Sequence, residues 1–194
     1  MNKIHVISDN RFFLAGITAQ TPTDYVRLYT YSPDEISSDF YPEREDIVVL
    51  NILDIHERET IACQPGLSNT CCRVIILLSM YKPKNERYLN SYQRPFPWLI
   101  PINIRPDEFW LYLMKANDSP LLQKSFKRVE QILFSYLGKG ISLPQLVKTP
   151  SIGFTENLVY SLKRKIVRGQ QLAGHHAITV MACRDIISMS QIYE

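Results

Sequence analysis

Three short stretches of this chain are apolar without a break: Ile47-Val48-Val49-Leu50, Val74-Ile75-Ile76-Leu77-Leu78 and Trp98-Leu99-Ile100. A strand with one face in water alternates apolar and polar residues, so an unbroken run is what a strand covered on both faces needs. Ile4-His5-Val6-Ile7-Ser8 is a further β-rich run, and Tyr25-Val26-Arg27-Leu28-Tyr29-Thr30 alternates and is rich in strand formers. Polar or helical segments separate these runs. Arg11 to Gln20 carries Phe12, Phe13, Leu14 and Ile17, and Asp107 to Lys115 carries Phe109, Trp110, Leu111 and Leu113. The pattern predicts an α/β domain: a parallel sheet with helices on both faces.

That domain does not fill the chain. Of 194 residues, the first 117 hold 12 Lys+Arg against 14 Asp+Glu, a balance of −2; the remaining 77 hold 10 against 5, a balance of +5. An acidic half followed by a basic half suggests two modules, the second facing a polyanion. Asn117-Asp118-Ser119-Pro120 is a turn cluster between helical patterns, which places a linker at 116–124 between domains at 1–115 and 125–194. No run of about 18 apolar residues suggests a membrane span, and the N-terminus turns polar at Ser8-Asp9-Asn10 too early for a signal peptide. A cytoplasmic protein is expected. The adjacent pairs Cys71-Cys72 and His175-His176 lack metal-ligand spacing, so no metal and no cofactor is expected.

In parallel α/β sheets, function gathers at the carboxyl ends of the strands. Here those positions hold Asp9 and Asn10, Asn51, Ser79, and Pro101 to Asn103. Their order resembles the receiver domain of bacterial response regulators, which has the flavodoxin-like fold. The resemblance implies an acidic pair after the first strand, a phosphoacceptor Asp after the third, Ser or Thr after the fourth and Lys after the fifth. Asp9 keeps one acid of the pair, Ser79 matches the hydroxyl, and Arg105-Pro106-Asp107-Glu108-Phe109 resembles the start of the last receiver helix. Asn51 stands where the phosphoacceptor belongs, and no Lys occurs in Trp98 to Asn103. An amide has no oxygen anion to attack a phosphoryl donor, and one carboxylate is too few for a tight Mg2+ site. The expectation is a degenerate phosphorylation site at Asp9, Asn51 and Ser79. Tyr81 to Pro97, irregular and aromatic, is a candidate partner surface.

Beyond the linker, Val129, Ile132, Leu133, Tyr136 and Leu137 fall on one helical face, and Gly138-Lys139-Gly140 ends that helix. Ser142 caps a short helix with Leu143, Leu146 and Val147; Lys148 to Gly153 forms a turn. Thr155 opens a longer helix whose expected buried stripe is Leu158, Val159, Leu162 and Ile166. Lys163, Arg164, Lys165 and Arg168 put four cations within six residues of it. A last helix is expected at about His176 to Ser190. Two short helices, a turn and a basic helix form helix-turn-helix anatomy. Gly140-Ile141-Ser142-Leu143-Pro144-Gln145-Leu146-Val147 resembles the Gly-x-Ser-x-x-x-Ile-Ala element of LuxR/FixJ-type DNA-binding domains. Thr155 to Ile166 resembles their Ser-x-x-Thr-Val-x-x-His-x-x-x-Ile signature, with Leu158 in place of Thr and Leu162 in place of His.

The likeness covers about residues 125–190. It implies an all-α helix-turn-helix domain binding double-stranded DNA. By position, Tyr160, Ser161 and Arg164 face base edges, while Lys163, Lys165, Arg168 and Thr155 meet phosphates, with Lys139 and Lys148 as outliers. Receiver then helix-turn-helix is the layout of the NarL/FixJ class. The expected protein is an atypical member: a phosphorylation-independent transcription regulator, homodimeric or paired with another response regulator. The alternative is an interaction module that modulates such a partner without a DNA target of its own. No Ser/His/acid, metal or Gly-rich phosphate motif occurs, so no enzyme is expected.

Overall fold

The computed structural model describes residues 2–21, 27–68, 72–79, 81, 93–148, 153–174 and 176–193. Five strands form one sheet: β1 (Lys3–Ser8), β2 (Arg27–Tyr31), β3 (Ile47–Asn51), β4 (Arg73–Leu78) and β5 (Trp98–Pro101). Their spatial order is β2-β1-β3-β4-β5, with every neighbouring pair parallel. This is the flavodoxin-like order. Every residue of β3 and β4 is buried, as their unbroken apolar runs require. β2 lies at the sheet edge, and none of its five residues is buried. Tyr25 and Val26, expected in that strand, lie outside the described residues.

Successive side chains of a strand point to opposite faces, and the core divides accordingly. Ile47 and Val49 turn to one face, where helix α1 (Arg11–Ala19) contributes Ile17. Val48 and Leu50 turn to the other, against α2 (Ile55–Ala62) and α3 (Pro65–Ser68). The last helix of this half, α4 (Pro106–Asp118), adds Phe109 and Leu113 to the first face. Side-chain caps mark the helix starts: Asn10 Oδ1 accepts from Phe13 N, and Asp54 Oδ1 from His56 N and Glu57 N.

α4 runs three residues into the span expected as a linker. The stretch that follows is pinned to the sheet: Phe96 N donates to Leu122 O at 2.7 Å, Lys124 N to Phe96 O at 2.6 Å, and Gln123 Nε2 to Cys72 O at 3.1 Å. The second half holds α5 (Arg128–Gly138), α6 (Leu143–Val147), α7 (Glu156–Gly169) and α8 (Ala177–Ser188). Gly140 at φ +75° follows α5 in the left-handed conformation that closes a helix. The half is not all-α. β6 (Ser125–Lys127) and β7 (Gln191–Tyr193) pair in parallel, Phe126 opposite Ile192, and join its two ends. A three-residue strand with one buried side chain leaves no period to read in the sequence.

The two halves share one hydrophobic core. Ile61 and Leu67 from the first cluster with Phe134, Val180 and Ile186 from the second. At the centre of that contact, Arg58 Nε on α2 donates to Asp185 Oδ2 on α8 at 2.7 Å, with both side chains buried. Arg184 Nη2 donates to Asp185 Oδ1 and its Nη1 pairs with Glu59, both at 2.8 Å. Burial pushes the Asp185 carboxyl up, and the two guanidinium groups oppose that push.

Candidate functional site

Strand register assembles the first candidate site. Ser8 stands opposite Asn51 at the ends of β1 and β3, and Leu78 opposite Pro101 at the ends of β4 and β5. Asp9, Asn51, Ser79 and Pro101–Asn103 therefore share one edge of the sheet. Asn51 is 3% exposed. Its Nδ2 donates to Ser8 Oγ at 3.1 Å, Ser8 Oγ donates to the Asn51 carbonyl at 2.8 Å, and Asn10 N donates to Ser8 Oγ at 3.0 Å. Asp9 Oδ2 accepts from Leu53 N at 2.7 Å and Asp54 N at 3.0 Å. Asn51 Oδ1 and Asp9 Oδ1 are buried with no hydrogen-bond partner among the described residues. Ser79 is exposed in a turn beyond β4.

These polar groups hold loops together. The Asp9 carboxylate clamps the backbone that leads into α2, and the Asn51 amide ties β3 to β1. Ser8 supplies the partner, a role that becomes visible only through the register. No cluster of three or more potential metal-ligating side chains occurs among the described residues.

The second candidate site is α7. Thr155 Oγ1 caps it, accepting from Leu158 N at 3.3 Å. Val159, Ile166 and Val167 are buried and Leu162 packs partly against the core. Leu158, expected in the buried stripe, is instead 39% exposed, and Val167 takes the place it was assigned. Residues on a helix turn by about 100° each. A face centred on Val159, Ile166 and Val167 therefore leaves Leu158 on the flank.

The same phase divides the cations. Arg164 and Arg168, four residues apart, are exposed on the outer face with Ser161, and Tyr160 beside them is 61% exposed. Neither arginine makes an ion pair among the described residues. Lys165 is exposed but held: its Nζ donates to the buried Glu130 carboxylate on α5 at 2.8 Å, which raises the pKa of its ammonium. Lys163 is half-buried near Cys183, whose thiol burial pushes up to about 12. Of the seven residues expected to meet DNA, Thr155, Tyr160, Ser161, Arg164 and Arg168 thus stand together and open, while Lys163 and Lys165 are partly committed to the fold. Lys139 and Lys148 are also exposed.

In front of α7, Ser142 N and Oγ both donate to Gln145 Oε1, at 2.8 and 2.7 Å, and start α6 where the sequence placed it. The turn at Lys148–Gly153 falls largely outside the described residues. So does the expected partner surface between Tyr81 and Pro97, of which the described Tyr81 and Phe96 are buried. Cys63 and Cys183 are free thiols. No helix among the described residues is long and apolar enough to cross a membrane. No known family model matches the chain, and no curated protein matches it.

Proposed function

We propose that this chain is a sequence-specific DNA-binding transcription regulator whose activity does not depend on phosphorylation. The observation that carries the reading is the outer face of α7. Arg164 and Arg168 point to solvent four residues apart with no ion pair among the described residues, beside Ser161 and Tyr160. A helix capped by Thr155 offers free N–H groups and positive dipole charge at the end that enters a groove. Arg164 is the base-reading candidate, because a guanidinium grips guanine in a bidentate way; Arg168 and Thr155 serve the phosphates. On this reading α6 and α7 form the helix-turn-helix pair and α7 is the recognition helix, as in the LuxR/FixJ class it resembles.

The sheet half supports the second part of the proposal. A buried amide at Asn51, hydrogen-bonded to Ser8, replaces an accessible carboxylate. The Asp9 carboxylate is already engaged by two backbone amides. The half serves as a scaffold for α8, which it grips through Arg58 and Asp185.

The test is a gel shift with the purified full chain, no phosphodonor present, and Arg164→Ala as control. Sequence-preferred binding by the wild type, weakened by the substitution, supports the proposal. No preferred duplex at any salt concentration sinks it. Exposed Leu158, where the resembled signature has Thr, favours the alternative of an interaction module. That alternative wins if preferred binding occurs only with a second regulator present.

A further inference from the structure

Helix α5 presents a face that the core leaves open. Arg128, Ser135 and Lys139 are exposed and follow one another at intervals of seven and four residues, which sets them on one stripe. Beside that stripe Ile132 and Tyr136 are half-buried, and Phe154, just before α7, is buried. Together they line an open groove of about 780 Å³. Its deeper side is apolar, and a cation stands at each end. A rise of about 1.5 Å per residue puts Arg128 and Lys139 about 16 Å apart, about three helical turns. Neither makes an ion pair among the described residues. No acid lines the groove. Glu130, the acid of α5, is buried and already engaged: its Oε1 accepts from Lys165 Nζ at 2.8 Å and its Oε2 from Lys127 N at 2.9 Å. Arg128 Nη1 donates to Gln131 Oε1 at 2.6 Å, which holds the guanidinium at the rim.

We infer that this groove docks an acidic amphipathic helix of another protein, laid along α5 with apolar side chains on Ile132, Tyr136 and Phe154 and carboxylates at Arg128 and Lys139. Charge selects the occupant. Cations at both ends with no acid between them favour a partner whose own acids lie about 11 residues apart, the spacing that returns to one face after about three turns. At Arg128 the guanidinium fork matches a carboxylate with two parallel hydrogen bonds. Shape agrees. A small molecule needs an enclosed pocket that covers most of its surface, whereas an open groove with an apolar floor seats the apolar face of a helix. A second copy of this chain docking by the same face would set cation against cation. A nucleic acid fits less well, because its phosphates need cations along their whole length and the floor here offers only apolar surface.

Such docking goes beyond DNA binding and does not rest on it. Fluorescence anisotropy of two labelled synthetic helical peptides, titrated with the full chain, tests it. Both peptides carry Leu at every third or fourth position. One has Glu at two positions about 11 apart beside that stripe, and the other has Lys at the same two positions. The wild type is expected to bind the Glu peptide at least about tenfold more tightly than the Lys peptide, the combined effect of two rim ion pairs. Arg128→Glu should abolish that preference, since one end of the groove then attracts each peptide. Ser135→Glu, which sets an acid in the middle of the groove, should weaken the Glu peptide by about three- to fivefold. Both side chains are exposed, so both variants keep the wild-type circular dichroism. Equal binding of the two peptides by the wild type, binding of neither, or a preference that survives Arg128→Glu overturns the inference. A fall in duplex affinity on Arg128→Glu with the peptide preference intact gives the groove to nucleic acid instead.

Discussion

The carboxyl end of the sheet and the outer face of α7 both gather polar side chains, yet they dispose of them in opposite ways. At the sheet, Asn51, Ser8, Asn10 and Asp9 bond to one another and to backbone amides. On α7, Arg164, Arg168, Ser161 and Tyr160 turn to solvent, and neither arginine has an ion-pair partner among the described residues. The same contrast separates single residues. Arg58 is buried on Asp185 and joins two halves of the fold, whereas Arg164 is exposed and makes no ion pair among the described residues. Groups turned inward hold structure. Groups left open are available to a ligand, so substitutions in the two regions should separate stability from binding.

The largest effect is expected at Arg58. Arg58→Met removes one partner of a buried ion pair, which typically costs about 3–5 kcal/mol. Chemical denaturation should show that loss. A midpoint within experimental error of wild type would mean that the α2–α8 contact does not hold the halves together. Asn51→Asp comes next. It sets a carboxylate oxygen where Nδ2 now donates to Ser8, and a buried acceptor without its donor costs about 1–3 kcal/mol. The variant should melt below wild type and take no label from acetyl phosphate, because no Lys stands at the end of β5, in Trp98 to Asn103. Robust labelling would contradict the scaffold reading of this half.

On α7 the signs invert. Arg164→Ala should leave the melting temperature unchanged and cost about 1–3 kcal/mol of preferred-duplex affinity in a titration, with specificity relaxed at one base position. Arg168→Ala is the mildest. It should weaken binding to all duplexes alike and flatten the salt dependence by roughly 0.9 in log–log slope. An Arg168 substitution that lowered stability, or altered which sequence is preferred, would blur the separation between the two regions.

Much of the sheet was legible in the sequence, because strands buried on both faces must be apolar throughout, and Val74 to Leu78 is. The helix α2 was not. Its inward face is Arg58 with Ile61 and Ala62, and the residue that makes a buried arginine tolerable, Asp185, lies 127 positions away. The β6–β7 pair was illegible for a related reason, since its two short strands are brought together only by the helices between them. On α7 the cations and the Thr155 cap were readable, but the helical phase was not. Leu158 and Val167 are both apolar, and only packing against α8 decides which of them faces the core. That phase in turn commits Lys163 and Lys165 to the fold and leaves Arg164 and Arg168 open.

On the proposed function, the open face of α7 reads duplex DNA without phosphate on the sheet half. Repeated selection from a pool of random duplexes tests it most directly, with the purified full chain run in parallel with and without acetyl phosphate. One motif should be enriched, identically in both arms, and the Arg164→Ala chain should lose it. A pool that stays random, or a motif that emerges only with the phosphodonor, would contradict it.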